Sequence, residues 1–219
     1  MSRDKLVTFD LDGTLNRTDL YSVAAQQKAL EEFGVTGIPE ADLKGCLGGR
    51  PIDYAKRFLP HLTHEDHLRY LERELYWEKV IMEKSCGSFE GIPELLDRLH
   101  QAGYRTAVCS NSARDYIVPV LTALHLLDKI DAIQPLLPGL TKVDTLGLLL
   151  QREEPEAAVM VGDRIFDMEA ARGNSIPFIG CLYGYCPAEM AGSDRTVDCA
   201  AAIFDAVQDL IGEPVKAAW

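Results

Sequence analysis

No two of the six cysteines, at positions 46, 86, 109, 181, 186 and 199, stand in a C-x-x-C pair. Scattered thiols of this kind suit a reducing compartment better than a disulfide framework. Cations are scarce as well: Lys+Arg number 22 against Asp+Glu 34, a formal net charge of -12. A field of that sign repels nucleic acid and anionic membrane surfaces, so neither is expected as a partner. A small anionic substrate then needs a local cluster of cations. No uninterrupted apolar stretch approaches the length of a membrane span. The residues Met1 to Lys5, ahead of the first apolar run, are too few for the apolar core of a signal peptide. The expected setting is therefore cytoplasmic. There is no fixed-period repeat and no low-complexity segment, and oligomeric state is not legible. With 219 residues, 47% of them hydrophobic, the chain can bury a substantial core as one domain or as a domain with an insertion.

What is present begins at Leu6-Val-Thr-Phe, a short apolar, β-branched run that reads as a buried strand and ends in Asp10-Leu-Asp12-Gly-Thr14-Leu15. Taken alone, Asp-x-Asp-Gly describes an Asx turn closing a strand. From Asn16 to Ser85 no strand is evident. Thr18-Asp19 reads as the cap of a helix from about Leu20 to Phe33, and Glu40 opens a second, short helix. The Gly-rich, dibasic stretch Lys44 to Pro51 forms a junction before a helix through Tyr54 and Phe58. Thr63 caps a long helix whose apolar face is expected to carry Leu68, Leu71 and Leu75.

From Gly91 onward helices and strands alternate. Strands are expected at Tyr104–Cys109, Ile130–Gln134, Ala157–Val161 and Ile176–Cys181, with helices at Pro93–Ala102, after Ser112-Asp115 (read as a capping box), from Lys142, to Arg172, and near Ala200–Ile211. A polar, Gly-containing loop fills the space after the fifth strand. This alternation predicts an α/β fold with a parallel sheet covered on both faces. Residues 1–15 and 87–219 then make the core domain, and 16–86 an inserted helical domain.

In such a sheet, ligands bind outside the carboxyl ends of the strands. The strand ends here supply Asp10 and Asp12, Ser110 and Asn111, and Asp163 with Asp167, while Lys142 opens the helix after the third strand. Carboxylates about 4 Å apart at an effective dielectric near 20 repel by about 4 kcal/mol per pair. Cations must share the site. Lys142 is one, and a hard divalent ion on oxygen ligands, Mg2+, is the other. Ser110, Asn111 and the following helix start make an anion site. Metal, lysine and helix terminus aimed at one point suit a phosphoryl group, which an aspartate can accept covalently while its neighbour trades protons.

The sequence resembles the haloacid dehalogenase superfamily, phosphotransferases with a Rossmann-like core. Phe9 to Leu15 matches its first motif, Ser110-Asn its second, Lys142 its third and Gly162-Asp-x-x-x-Asp167 its fourth. Relatives commonly have Lys-Pro at the third motif, where Val143 follows the lysine here. The resemblance implies that Asp10 is nucleophile and metal ligand, and Asp12 the general acid/base with its main-chain carbonyl on the metal. It implies that Thr14, Ser110 and Lys142 hold the phosphate and that Asp163 and Asp167 complete the Mg2+ site. The insertion resembles the cap of phosphoglycolate phosphatase and β-phosphoglucomutase relatives.

The expected activity is hydrolysis of a small phosphorylated metabolite, phosphoglycolate or a sugar phosphate, through an aspartyl-phosphate. A sugar-phosphate mutase and an inorganic pyrophosphatase stay open, although Ser22 stands where mutase relatives carry a histidine. From other classes, a receiver-like domain lacks the Asp-Gly-Thr and the large insertion, and a non-catalytic phosphate-binding protein would not need every position filled. Lys44 and Arg50 are placed as substrate-recognition residues of the insertion. His64 and His67 read as a solvated helix face, Tyr183 and Tyr185 as a border of the cleft, and Arg164 either contacts substrate or pairs locally.

Overall fold

The computed structural model describes residues 4–214, so residues 1–3 and 215–219 of the expected core domain lie outside the described residues. The first apolar run is strand β1 (Lys5–Phe9), and Leu6 to Phe9 are wholly buried. It lies between β2 (Arg105–Cys109) and β4 (Ala157–Gly162), both parallel to it. With strands at both edges and helices over both faces it has no wet side, which is why its sequence runs apolar rather than alternating. β3 (Ala132–Gln134), β5 (Phe178–Cys181) and β6 (Arg195–Val197) complete a parallel sheet ordered β3-β2-β1-β4-β5-β6. The connections reverse direction between β1 and β4, the switch point where such sheets open a crevice.

Register carries that crevice to specific residues. Phe9 stands opposite Val108 of β2 and Val161 of β4. Asp10, Ser110 and Asp163 therefore leave the sheet within one residue of the same level.

Successive residues point to opposite faces. Val7, Phe9, Val108 and Val161 pack with α5 (Ile92–Ala102), α6 (Arg114–Ala123) and α9 (Ile203–Ile211). Leu6, Ala107, Met160 and Phe178 pack with α7 (Lys142–Glu153) and α8 (Ile165–Gly173). Between β1 and α5 the chain forms four helices, α1 (Ser22–Glu32), α2 (Glu40–Lys44), α3 (Pro51–Phe58) and α4 (His64–Met82). They share a separate apolar cluster that includes Leu30, Leu43, Ala55 and Tyr70.

Four expectations need correction. The sheet has a sixth strand, β6, three residues of an exposed edge too short and polar to show a period. Thr18 does not cap α1; a single 3-10 turn spans Thr18–Leu20, α1 starts at Ser22, and the Thr18 hydroxyl is used elsewhere. Ser112 does not cap α6, whose preceding residue is Ala113. The buried face of α4 is His67, Tyr70, Glu74, Glu78 and Met82, whereas Leu68 is 47% exposed. The interior that α4 meets is partly polar; of the leucine stripe, Leu71 and Leu75 are half-buried, with Leu71 packed on the apolar cluster, and only Leu68 faces out.

Two glycines make the crevice narrow enough. A Cβ on Gly13, whose φ is +91°, would lie 2.3 Å from Asp163 Oδ2, and one on Gly184 would lie 2.2 Å from the Asp163 Cβ. The Asp163 carboxylate fits only because both are absent. On the other side, α7 begins with a capping box: Asp144 accepts from the Thr141 backbone N–H at 2.8 Å, and Thr141 accepts from that of Asp144 at 3.4 Å. This fixes the turn that presents Lys142. Replacing the cap, Thr141→Ala, is expected to lower the unfolding free energy by about 1 kcal/mol in a denaturant titration.

Candidate active site

At the switch point three carboxylates converge. Asp10, Asp163 and Asp167 are buried, and each offers an oxygen within 4.8 Å of the others. Lys142, also buried, places Nζ 2.6 Å from Asp10 Oδ1 and 2.6 Å from Asp167 Oδ1. Asp163 accepts from the Tyr185 backbone N–H at 2.8 Å and from the Thr14 hydroxyl at 3.3 Å. Asp167 accepts through Oδ2 from the Arg164 backbone N–H at 3.0 Å.

One ammonium does not balance three carboxylates, and the protonation equilibria register the deficit. Burial first, then the charges of Asp167, Asp163 and Asp12, hold the Asp10 carboxyl well above the usual range, against the pull of Lys142. Burial and the Asp167 charge push Asp163 up to about 7. Burial opposes the Lys142 ammonium, yet Asp10 and Asp167 keep it charged well beyond the ordinary lysine range. Asp10 Oδ2 is buried without a hydrogen-bond partner among the described residues. Hard oxygen donors, surplus negative charge and that unpaired oxygen fit a divalent cation of the Mg2+ type.

Asp12 sits in a different environment although it is only two residues from Asp10. Its Oδ1 accepts from the Thr18 hydroxyl at 2.6 Å, the Tyr116 hydroxyl at 2.8 Å and the Asn16 amide at 3.0 Å. Its Oδ2 has only the Ser112 hydroxyl, at 3.4 Å. Three donors on Oδ1 localise negative charge there, so a proton on this carboxyl belongs to Oδ2. The donors are themselves ordered: Asn16 donates to the Tyr21 hydroxyl at 2.7 Å, and the Tyr21 and Tyr116 hydroxyls lie 2.8 Å apart.

Most of the expected residues thus meet at one place. Ser110 is buried beside them, and its Oγ accepts from the Ser112 backbone N–H at 3.1 Å, which leaves its own O–H to donate. Asn111 instead donates to the Gly48 carbonyl at 3.1 Å, and Arg164 donates to the Leu47 carbonyl and pairs with Glu189. The residue left between two readings is thus a local tether to the insertion. Lys44 is paired with Glu40 and Arg50 with Asp53, and all four side chains are well exposed. Tyr183 donates to the Thr14 carbonyl and Tyr185 to Asp19, so both border the crevice. His67 is buried on the Leu59 carbonyl rather than solvated. Sequence reasoning missed Asn16, Thr18, Ser112 and Tyr116 as partners of Asp12, and Tyr21 as a partner of Asn16 and Tyr116. Thr18 and Ser112 carried a signal that was assigned to helix capping, and the others look like ordinary turn and core residues.

Comparison with known proteins agrees with this geometry. A family model described as haloacid dehalogenase-like hydrolase matches residues 7–181. The chain is 31% identical to a phosphoglycolate phosphatase of Agrobacterium fabrum, with 97% of each chain covered. It is 29% identical to the tyrosine-protein kinase PtkA of Mycobacterium tuberculosis over 95% of this chain and 72% of that one. In fold it superimposes on the crystal structure of a predicted phosphatase from Clostridium acetobutylicum with a TM-score of 0.84. That match covers 95% of this chain and 100% of the other at 23% identity.

Two measurements test the carboxylate cluster. Mg2+ at about a hundred times its dissociation constant is expected to raise the unfolding free energy by about 2.7 kcal/mol, and Asp163→Asn to abolish the gain. Without metal, folded Asp163 keeps its proton to about pH 7, whereas the unfolded chain releases it near 3.9. The folded state binds more protons in that window, so this group makes stability fall as pH rises through it. Denaturation profiles of the metal-free protein are expected to show that fall, reduced by Mg2+ and by Asp163→Asn.

Proposed function

The chain belongs to the haloacid dehalogenase-like hydrolase family, and from this we propose that it is a Mg2+-dependent phosphatase of a small phosphorylated metabolite, acting through an aspartyl-phosphate on Asp10. The observation that carries the reading is the contrast between two neighbouring carboxylates. Asp10 is held by an ammonium inside a metal-type cluster, and Asp12 by neutral hydroxyl and amide donors outside it.

In the first half-reaction the Asp10 carboxylate attacks phosphorus while Lys142 keeps it in place. The bond from phosphorus to the leaving alcohol breaks, and Asp12 passes a proton from Oδ2 to the departing oxygen. In the second, Asp12 takes a proton from water, the water oxygen attacks phosphorus, and inorganic phosphate leaves as the Asp10 carboxylate re-forms. Ser110 and Lys142 bear on the phosphate oxygens, and Thr14 acts on Asp163. Asp10, Asp163 and Asp167, with the Asp12 carbonyl, would hold Mg2+, whose chemistry is to neutralise charge on the transferring phosphoryl group.

Residues 16–86 act as a cap over a core of 1–15 and 87–219, excluding bulk water during transfer. This is supported by the separate apolar cluster of the insertion and by the hydrogen bonds from Asn111 and Arg164 to its loop. A cytoplasmic location is part of the same reading. It is supported by the free thiols, and among the described residues no helix is long and apolar enough to cross a membrane. Phosphoglycolate, from the name of the Agrobacterium relative, and sugar phosphates are the classes to assay first.

Asp10→Asn is expected to abolish phosphate release from an aryl phosphate while the far-UV circular dichroism stays unchanged. Asp12→Asn is expected to cost about a hundredfold or more in kcat on alkyl phosphates and far less on a nitrophenyl ester, whose leaving group needs no proton. An equal loss on both would remove Asp12 from proton transfer. Chelation should stop turnover and Mg2+ restore it. A hexose 1-phosphate returning hexose 6-phosphate, or pyrophosphate proving the preferred substrate, would replace this reading with the mutase or the pyrophosphatase.

A further inference from the structure

The insertion buries two carboxylates that the mechanism above does not use. Glu74 and Glu78, one turn apart on α4, are 2% and 9% exposed, and among the described residues neither forms an ion pair. Glu74 accepts from the Tyr54 hydroxyl at 3.0 and 3.1 Å and also takes the Gln26 amide, while the Ser22 hydroxyl serves Glu78. Two further polar groups in this cluster have unused capacity. The Gln26 amide nitrogen is spent on Ser22 and Glu74, but its Oε1 is fully buried with no donor. The Tyr70 hydroxyl, beside both glutamates, is equally buried and unpaired.

Location gives the cluster its meaning. Ser22 directly follows Tyr21, whose hydroxyl meets that of Tyr116 on Asp12 Oδ1. Burial and then the Asp12 charge push Glu78 up to about 8, and Glu78 in turn adds to the field on Tyr21 and Tyr116. Glu78 therefore lies within electrostatic reach of Asp12, the group proposed to protonate the leaving alcohol, with Glu74 one turn away on the same helix. Lys44 and Arg50, the cations of the insertion expected to recognise substrate, are at the surface on Glu40 and Asp53.

Burying an uncompensated carboxylate is costly, and natural structures pair such groups with a cation. An ammonium carries three donors and one positive charge. Glu74, Glu78 and Gln26 Oε1 supply the acceptors, and the pair, sharing one proton, supplies one negative charge. We propose that these residues form a subsite for a protonated amine on the leaving group, so that the substrate is the phosphate monoester of an amino alcohol or amino sugar. This rests on the phosphatase reading above and narrows its substrate away from carboxylate-bearing esters.

The test uses the full chain with Mg2+ and two matched substrate pairs: ethanolamine phosphate against phosphoglycolate, and glucosamine 6-phosphate against glucose 6-phosphate. A nitrophenyl phosphate serves as the reference. In at least one pair the amine member is expected to lead in kcat/KM by about tenfold or more, and Glu74→Gln and Glu78→Gln are each expected to cut that ratio by about tenfold. The pair that responds separates amino alcohol from amino sugar. Each ratio is taken within one preparation, so a partly unfolded variant does not distort it. If the nitrophenyl ester is hydrolysed but neither pair favours the amine, or neither variant moves the ratio, the pair is a structural acid dyad and the subsite is overturned. If no ester is hydrolysed, the phosphatase reading falls and takes the subsite with it.

Discussion

The contact between the Lys142 ammonium and two buried carboxylates is the constraint on which the rest depends. The parallel sheet delivers Asp10, Asp163 and Asp167 to one point because β1 and β4 end level. Left alone, that convergence would oppose folding. Lysine at a helix N-terminus is also disfavoured by the helix dipole. Each unfavourable placement answers the other, with the Thr141–Asp144 box fixing the turn where they meet. The remaining negative charge is not balanced by Lys142 and accounts for the affinity this crevice would have for a divalent ion.

A second consequence is that adjacent aspartates acquire separate chemistry without any difference in residue type. Asp10 lies in a strongly charged environment and Asp12 in a hydrogen-bonded one made largely by the first residues of the insertion and by α6. The entry segment of the insertion, Asn16 to Tyr21, thus orients the Asp12 carboxylate, the proposed proton donor. A substitution there would act first on the Asp12 carboxylate.

The core was legible in the sequence because its signals are local. A fully buried strand shows as an apolar run, and a strand end shows as a change to Asp, Ser or Gly, so five of the strands and the level of the crevice could be read. Strand β6 could not, because three half-wet edge residues have no period. The insertion was harder. Its helices were found, but the face that α4 buries carries glutamates, tyrosine and histidine, so hydrophobic periodicity chose the leucines. The same limit hid the partners of Asp12. Thr18 and Ser112 are good helix caps by residue type, and only the tertiary structure shows that their hydroxyls are spent on a carboxylate.

Asn111 and Arg164 take hold of the insertion by the main-chain oxygens of Gly48 and Leu47. A carbonyl reads the same whatever side chain its residue bears. The fastening is therefore blind to composition over most of the loop, and the tight spots are confined to where a glycine lets the backbones meet. Such a joint lets the side chains of the neighbouring surface change without unfastening the insertion from the core.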